Sequence, residues 1–317
     1  FAVLLGTGPD RGRSRIAWWW LGFLLLLGPV ALGRIDAFTV ALAIPGVLLL
    51  ASAPRVAAVL LTAATWMKVW PAAVLASAVV AVRSRWRLLA AAGIASAAIA
   101  LVPLVMGAGP RILSFVGQQT GRGLQVEAPV AAFWMWDAFA TGSRRSIVYY
   151  DQAILTFQVV GPGAAQAAAA MTPLLAVVTA ALLGLAIAGM RRRAAAVELL
   201  PPLVLAVTTG LILCNKVGSP QFVTWLAVPV VLGLAASHTG RTESFRVPAV
   251  LALVIAGLTQ LIYPYLYGHL LGLNAVMLIV LTVRNLLYAV LFAWAVTALV
   301  RVVRDARTPE TLRSHRT

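Results

Sequence analysis

The sequence predicts an all-α, polytopic membrane protein on three observations. Of its 317 residues, 62% are apolar and 11% charged, against about 45–50% and about 25% in a soluble domain. The 25 basic and 9 acidic residues sit in short groups between long uncharged runs, too few to solvate a globular surface of this size. The runs themselves approach or reach the roughly 20 residues with which an α-helix crosses about 30 Å of hydrocarbon.

In chain order, residues 1–5 are apolar but too few to cross that core at about 1.5 Å per residue. They lack the basic leader and small-residue cleavage site of a signal peptide. They read as the last turn of an upstream span, followed up to residue 15 by a cytoplasmic loop with Arg11, Arg13 and Arg15. Candidate spans follow at 16–32, 37–53, 88–106, 171–190, 197–214, 222–236, 247–266 and 275–300. The stretch 56–82 differs, because Lys68-Val69-Trp70-Pro71 interrupts it and arginines flank both ends (Arg55; Arg83, Arg85, Arg87). It reads as a broken-helix hairpin that enters the membrane and returns. The organisation is thus a membrane block at 16–106, an extracytoplasmic loop at 107–170, a second block at 171–300 and a cytoplasmic tail at 301–317.

Orientation follows from the positive-inside rule. With 56–82 counted as a hairpin, the groups at Arg11–Arg15, Arg55, Arg83–Arg87, Arg191–Arg193, Arg241/Arg246 and 301–316 all fall on one side. The other side receives residues 33–36, Lys68, the loop 107–170, residues 215–221 and residues 268–274. That loop carries Phe115, Phe133, Trp134, Trp136, Phe139, Tyr149, Tyr150 and Phe157, an aromatic density that disordered linkers lack and that suits a membrane interface. It is expected to be ordered, as short helices roofing a cavity between the spans.

The charge of +16 does not point to nucleic acid, since no basic stripe interleaved with aromatics is present. A lone Cys214 excludes an intrachain disulfide, and His238, His269 and His315 have no metal-ligand spacing. No metal or cofactor is expected.

The unclustered bases (Arg34, Lys68, Arg111, Arg122, Lys216, Arg284) fall on the face opposite the arginine groups, with four acids, Asp36, Glu127, Asp137 and Asp151. Asp36 reads either as a helix cap or ion-pair partner of Arg34, or as a carboxylate facing the cavity. Lys68 lies between apolar flanks, where a mid-membrane cation costs roughly 2.5–3.5 kcal/mol; it reads as an anion ligand or as an anchor for the hairpin tip. Arg284, about ten residues into the last span, is either snorkelling or gripping a phosphate. The loop Gln118-Gln119-Thr120-Gly121-Arg122-Gly123-Leu124-Gln125-Val126-Glu127 packs amide, guanidinium and carboxylate groups suited to sugar hydroxyls. Asn215-Lys216-Val217-Gly218-Ser219-Pro220-Gln221 joins two spans on the same side. A cavity with cationic walls and a hydroxyl-reading roof suits an amphiphile with an anionic head and a long tail.

Four segments carry a resemblance. Gly33-Arg34-Ile35-Asp36-Ala37-Phe38, Met67-Lys68-Val69-Trp70-Pro71-Ala72, Gln119-Thr120-Gly121-Arg122-Gly123-Leu124-Gln125-Val126-Glu127 and Asn215-Lys216-Val217-Gly218-Ser219-Pro220-Gln221-Phe222-Val223-Thr224-Trp225-Leu226 together resemble the actinobacterial polyprenyl-phosphate-dependent glycosyltransferases of family 87. These belong to the GT-C superfamily, with its mannosyltransferases and arabinofuranosyltransferases of cell-envelope glycolipids. The resemblance runs from about Ile16 to Arg301. It implies a GT-C-like fold in the plasma membrane and inverting transfer of a sugar, mannose or arabinofuranose first, from a polyprenyl-phosphate donor to a glycolipid or glycan acceptor on the extracytoplasmic face. Such transfer needs a carboxylate base and a positive site for the departing phosphate. The resemblance places the base in a first outer loop expected before Phe1, with Asp36 as the internal candidate. It assigns Lys68, Lys216 and Arg284 to the donor phosphate, and Arg122, Gln125, Glu127, Ser219 and Gln221 to the sugar or acceptor. A transporter or flippase of a lipid-linked sugar would use the same cavity without chemistry, but repeats and paired broken helices, common in transporters, are not evident.

Overall fold

The structure, a computed structural model, describes residues 11–107, 109, 122–238, 240 and 242–306. The expected upstream turn, Arg111, the Gln118–Gly121 part of the polar loop, Arg241 and the tail from residue 307 lie outside them.

Helix α1 (Arg11–Leu27) ends at Gly28, whose φ of 64° places it against the Gln260 side chain; a Cβ there would overlap that amide. Helix α2 (Pro29–Leu32) restarts on a proline in its first turn, where the missing N–H costs nothing. After a short turn comes α3 (Asp36–Leu48). With 17 and 13 residues, α1 and α3 reach ~25 and ~20 Å; the expected span 16–32 is broken at Gly28 between α1 and α2, and α3 stops short of the end of 37–53. The stretch read as a broken hairpin folds as two helices, α4 (Pro54–Met67) and α5 (Pro71–Ala81), which pack on each other. Lys68 caps α4 in an extended conformation (φ −159°, ψ 140°), and α5 again begins on a proline.

Six segments among the described residues are long and apolar enough to cross a membrane: α6 (Arg85–Val105), α8 (Ala164–Arg191), α9 (Ala196–Leu213), Pro220–His238, Arg246–Leu271 and α13 (Ala275–Asp305). The fourth joins a 3₁₀ turn (Pro220–Leu226) to α10 (Ala227–His238). The fifth is α11 (Arg246–Gln260), a π-helical stretch (Leu261–Leu266) and α12 (Tyr267–Leu271), kinked at Tyr263, whose backbone is extended. The chain is therefore a mostly helical, multi-pass membrane protein. Helices α9 and α10 form its centre: α9 packs on α5, α8, α10 and α13, and α10 on α1, α3 and α11. Helix α6 keeps only Leu88 buried and exposes Ile94, Leu101 and Val105, as a helix bordered by lipid does.

At one end, Arg193, Glu198, Glu243, Arg301 and Asp305 line a cavity of about 480 Å³. Several of the expected arginine groups thus share an end. At the other end lies a second apolar core, in which Leu124, Trp134, Met135 and Val159 meet Ile262, Met277 and Leu281. Its polypeptide is a three-stranded antiparallel sheet in the order β1-β3-β2, from β1 (Leu124–Gln125), β2 (Ile147–Asp151) and β3 (Thr156–Val160), with α7 (Ala132–Thr141). The register pairs Gln125 with Gln158 and Tyr149 with Gln158 on the two edges of β3. Among the described residues of the loop, short helix is found at α7 and in a 3₁₀ turn (Pro129–Ala131), and the expectation of short helices throughout does not hold. Ile147-Val148-Tyr149-Tyr150 and Thr156-Phe157-Gln158-Val159-Val160 are β-branched and aromatic runs, which suit a pleated surface, and they pair as a hairpin instead. Helix α8 also begins at Ala164, inside the range read as loop.

Candidate functional site

Two buried polar clusters form at the end carrying the sheet, and the segment 215–226 touches both.

The first is built on the break after α4. The Lys68 ammonium donates to Asp36 Oδ2 at 2.6 Å; the Asp36 side chain is 0% exposed and that of Lys68 25%. Trp225 Nε1–H donates to the other oxygen, Oδ1, at 2.5 Å. Asp36 is in the first turn of α3, where the helix dipole favours a negative charge. Arg34 is exposed and is not its ion-pair partner, so the carboxylate turns inward to the hairpin. Around the pair, Trp225 is sandwiched between Trp70 (centroids 5.2 Å, planes 12° apart) and Phe222 (4.2 Å, 26°). Trp70 Nε1–H donates to Thr39 Oγ1. The ammonium lies 5.0 Å from the Phe222 centroid and 5.7 Å from that of Trp225, within cation–π range. Lys68 is thus a cation held by one buried carboxylate and two rings, with part of its surface open.

The second cluster joins the sheet layer to the kinked span. Glu127 is buried, and its Oε1 accepts from the Tyr263 and Tyr267 hydroxyls, the latter at 2.7 Å. Its Oε2 has no partner. Burial pushes the Glu127 carboxyl above its ordinary range, against the two phenol hydrogen bonds, which lower it. Tyr263, at the extended kink, and Tyr267 bring their ring centroids to 4.5 Å, with planes 37° apart. Arg284, 2% exposed, donates from Nη2 to the Glu127 carbonyl at 2.9 Å and to Asn285 Oδ1 at 2.8 Å. It neither snorkels nor presents its fork to solvent; it ties α13 to the sheet layer.

Between them, Gln125 N–H donates to the Lys216 carbonyl. Gly218 lies so close that a Cβ on it would overlap the backbone of Glu127 and Ala128. Asn215 Oδ1 accepts from Val217 N–H to hold the turn. The structure thus gathers Asp36 with Lys68, and Glu127 with Arg284, Gln125 and Lys216. Lys216 and Gln125 are buried, whereas Ser219 and Gln221 are half-buried at the start of the 3₁₀ turn. Arg122 is half-buried, with a buried Nε that has no partner.

Reasoning from sequence did not name Trp70, Thr39, Phe222 and Trp225 as site residues, nor Tyr263, Tyr267 and Asn285. Tyr263-Pro264-Tyr265-Leu266-Tyr267 carried a signal, since a proline inside a span with tyrosines four apart marks a kink with two phenols on one face. Among the described residues, no group of three or more His, Cys, Asp or Glu side chains could hold a metal. Compared with known proteins, the chain matches no family model, no curated protein and no solved structure.

Proposed function

We propose that this chain is a GT-C-like membrane glycosyltransferase that moves a sugar, mannose or arabinofuranose, from a polyprenyl-phosphate donor to a glycolipid or polysaccharide acceptor. It would work on the extracytoplasmic face of the plasma membrane. The observation that carries the proposal is the partly exposed Lys68 side chain at the helix break, its ammonium fixed by buried Asp36 and walled by Phe222 and Trp225. A single fixed cation beside apolar rings suits a phosphate that arrives attached to a hydrocarbon chain. The order and spacing of the four resembling segments supply the sugar-transfer part of the reading.

In this reading the acceptor hydroxyl attacks the anomeric carbon and the bond from that carbon to the phosphate oxygen breaks. The hydroxyl proton passes to a carboxylate base, and the polyprenyl phosphate departs with the bonding electrons. Lys68 stabilises the charge that grows on the leaving phosphate. Asp36 has both oxygens engaged, so it receives the task of orienting Lys68. Lys216 and Arg284 are buried, and they serve the donor by fixing the sheet layer, Lys216 through its carbonyl and Arg284 through its guanidinium. Arg122, Glu127, Ser219 and Gln221 line the sugar side, with Gln125 behind them.

The test is incorporation of labelled sugar from polyprenyl-phosphate donors into lipid or glycan by membranes expressing the full-length protein. Transfer that falls at least tenfold in Lys68→Ala, with a raised KM for the donor, is expected. Translocation of donor without transfer would establish the flippase reading instead, and unchanged donor turnover in Lys68→Ala would remove the phosphate assignment.

A further inference from the structure

We infer that α7 is an interfacial helix seated at the hydrocarbon boundary, with Arg144 and Arg145 binding the phosphates of anionic lipids. This inference is independent of the transferase reading.

The depth of α7 follows from its contact with α13. Trp136 Nε1–H donates to Thr282 Oγ1 at 2.9 Å. Thr282 and Arg301 lie on the same uninterrupted helix, and the nineteen residues between their positions correspond to ~28 Å at 1.5 Å per residue. Arg301 ends the apolar run at the arginine-rich end and pairs with Glu243, which puts it at a membrane boundary. A hydrocarbon core is about 30 Å thick, so Thr282, and Trp136 with it, stands at the opposite boundary.

The composition of α7 fits that depth. Trp134, Met135 and Ala138 are buried against the sheet layer. Phe133, Trp136 and Phe139, spaced three apart, form a separate stripe. Phe133 is 63% exposed and Phe139 44%, and Phe139 meets Trp136 edge-on at 5.7 Å. Beside Thr282, α13 exposes Ile279, Val283 and Leu286, so the stripe continues a surface that already faces lipid. An aromatic stripe at this level is where bilayer interfaces concentrate Trp and Phe.

Charge complementarity names the lipid. Gly142 ends α7 in the left-handed conformation, and the exposed Arg144 and Arg145 follow at once. Arg145 stands 3.6 Å from Asp137 Oδ1, while the other Asp137 oxygen takes the Ser146 hydroxyl. The arginines therefore keep guanidinium donors for lipid phosphate at the level where it lies.

The experiment uses the full-length protein in nanodiscs of zwitterionic lipid with or without 30% phosphatidylglycerol (~30%, enough to make the surface anionic). A nitroxide is attached at Phe139→Cys, or at Gln152→Cys as an aqueous control, in a Cys214→Ser background. At position 139, collisions with oxygen should exceed those with a water-soluble nickel complex, and the reverse should hold at 152. Phosphatidylglycerol binding, read by native mass spectrometry of lipid adducts, should weaken ~30-fold in Arg144→Gln/Arg145→Gln, taking the usual contribution of a basic residue at an anionic surface. A label at 139 as open to nickel as that at 152 would overturn the interfacial placement. Equal phosphatidylglycerol binding by the double variant would overturn the headgroup assignment.

Discussion

Replacing Lys68 by Met should destabilise the protein chiefly through Asp36. The Asp36 carboxylate is fully buried and, among the described residues, accepts from the Lys68 and Trp225 side chains. Removing one partner of a buried ion pair typically costs about 3–5 kcal/mol, because the remaining charge is left uncompensated. Two features reduce that figure here. Lys68 is 25% exposed, so solvent screens part of the attraction, and the Trp225 indole continues to donate a charge-assisted hydrogen bond of roughly 1.5 kcal/mol. A net loss of about 2–3 kcal/mol is expected, or roughly 3–5 °C in Tm for a chain of this size. Asp36→Asn retains an oxygen for Trp225 and removes the charge, so Lys68→Met/Asp36→Asn should recover to within about 1 kcal/mol of the parent. The assay is a double-mutant cycle by equilibrium unfolding in mixed micelles, followed by tryptophan fluorescence. Losses that simply add in the double variant would refute the pairing, because uncoupled sites are additive.

Other changes probe the remaining contacts. Trp225→Phe keeps a ring between Trp70 and Phe222 but deletes the donor to Asp36 Oδ1; a loss of about 1–3 kcal/mol is expected in the same unfolding assay. Gly218→Ala drives a methyl group into the backbone of Glu127 and Ala128, and should loosen the sheet layer enough for limited proteolysis to cut within 122–163 while the parent resists. The raised carboxyl of Glu127 means that the folded protein holds its proton more tightly than the unfolded chain does. Its contribution to stability is therefore full below the ordinary value of 4.5 and is lost as pH rises through the folded-state value. Glu127→Gln should flatten that part of the stability–pH profile, and an unchanged profile would remove Glu127 as its source.

How much could be read from residue order differs between the membrane block and the layer beside it. Long apolar runs report span positions directly, and the Lys68 break stands out because a charge and a proline interrupt such a run. The break of 16–32 at Gly28 is not visible in residue order, because Gly28 is conspicuous only once Gln260, far along the chain, packs against it. The sheet is hard to see in residue order because Tyr149, Tyr150 and Phe157 also suit a membrane interface, although Val148, Thr156 and Val159 beside them favour strands. Asp36 and Lys68 were each singled out, yet their pairing depends on α3 and the α4–α5 break meeting in space. Arg284 was expected to grip a ligand; its guanidinium instead satisfies the Glu127 carbonyl and Asn285, a demand that only a folded backbone creates.

The stretch from Lys216 to Trp225 has its first residue hydrogen-bonded to the strand before Glu127 and its last residue bonded to Asp36. With a 3₁₀ turn filling most of the distance, it is a short stiff strut and has little slack to absorb movement at either end. Anything that displaces the sheet layer therefore shifts the ring and the carboxylate that hold Lys68. By reciprocity, whatever settles on the ammonium changes the energy of moving the layer by the same amount.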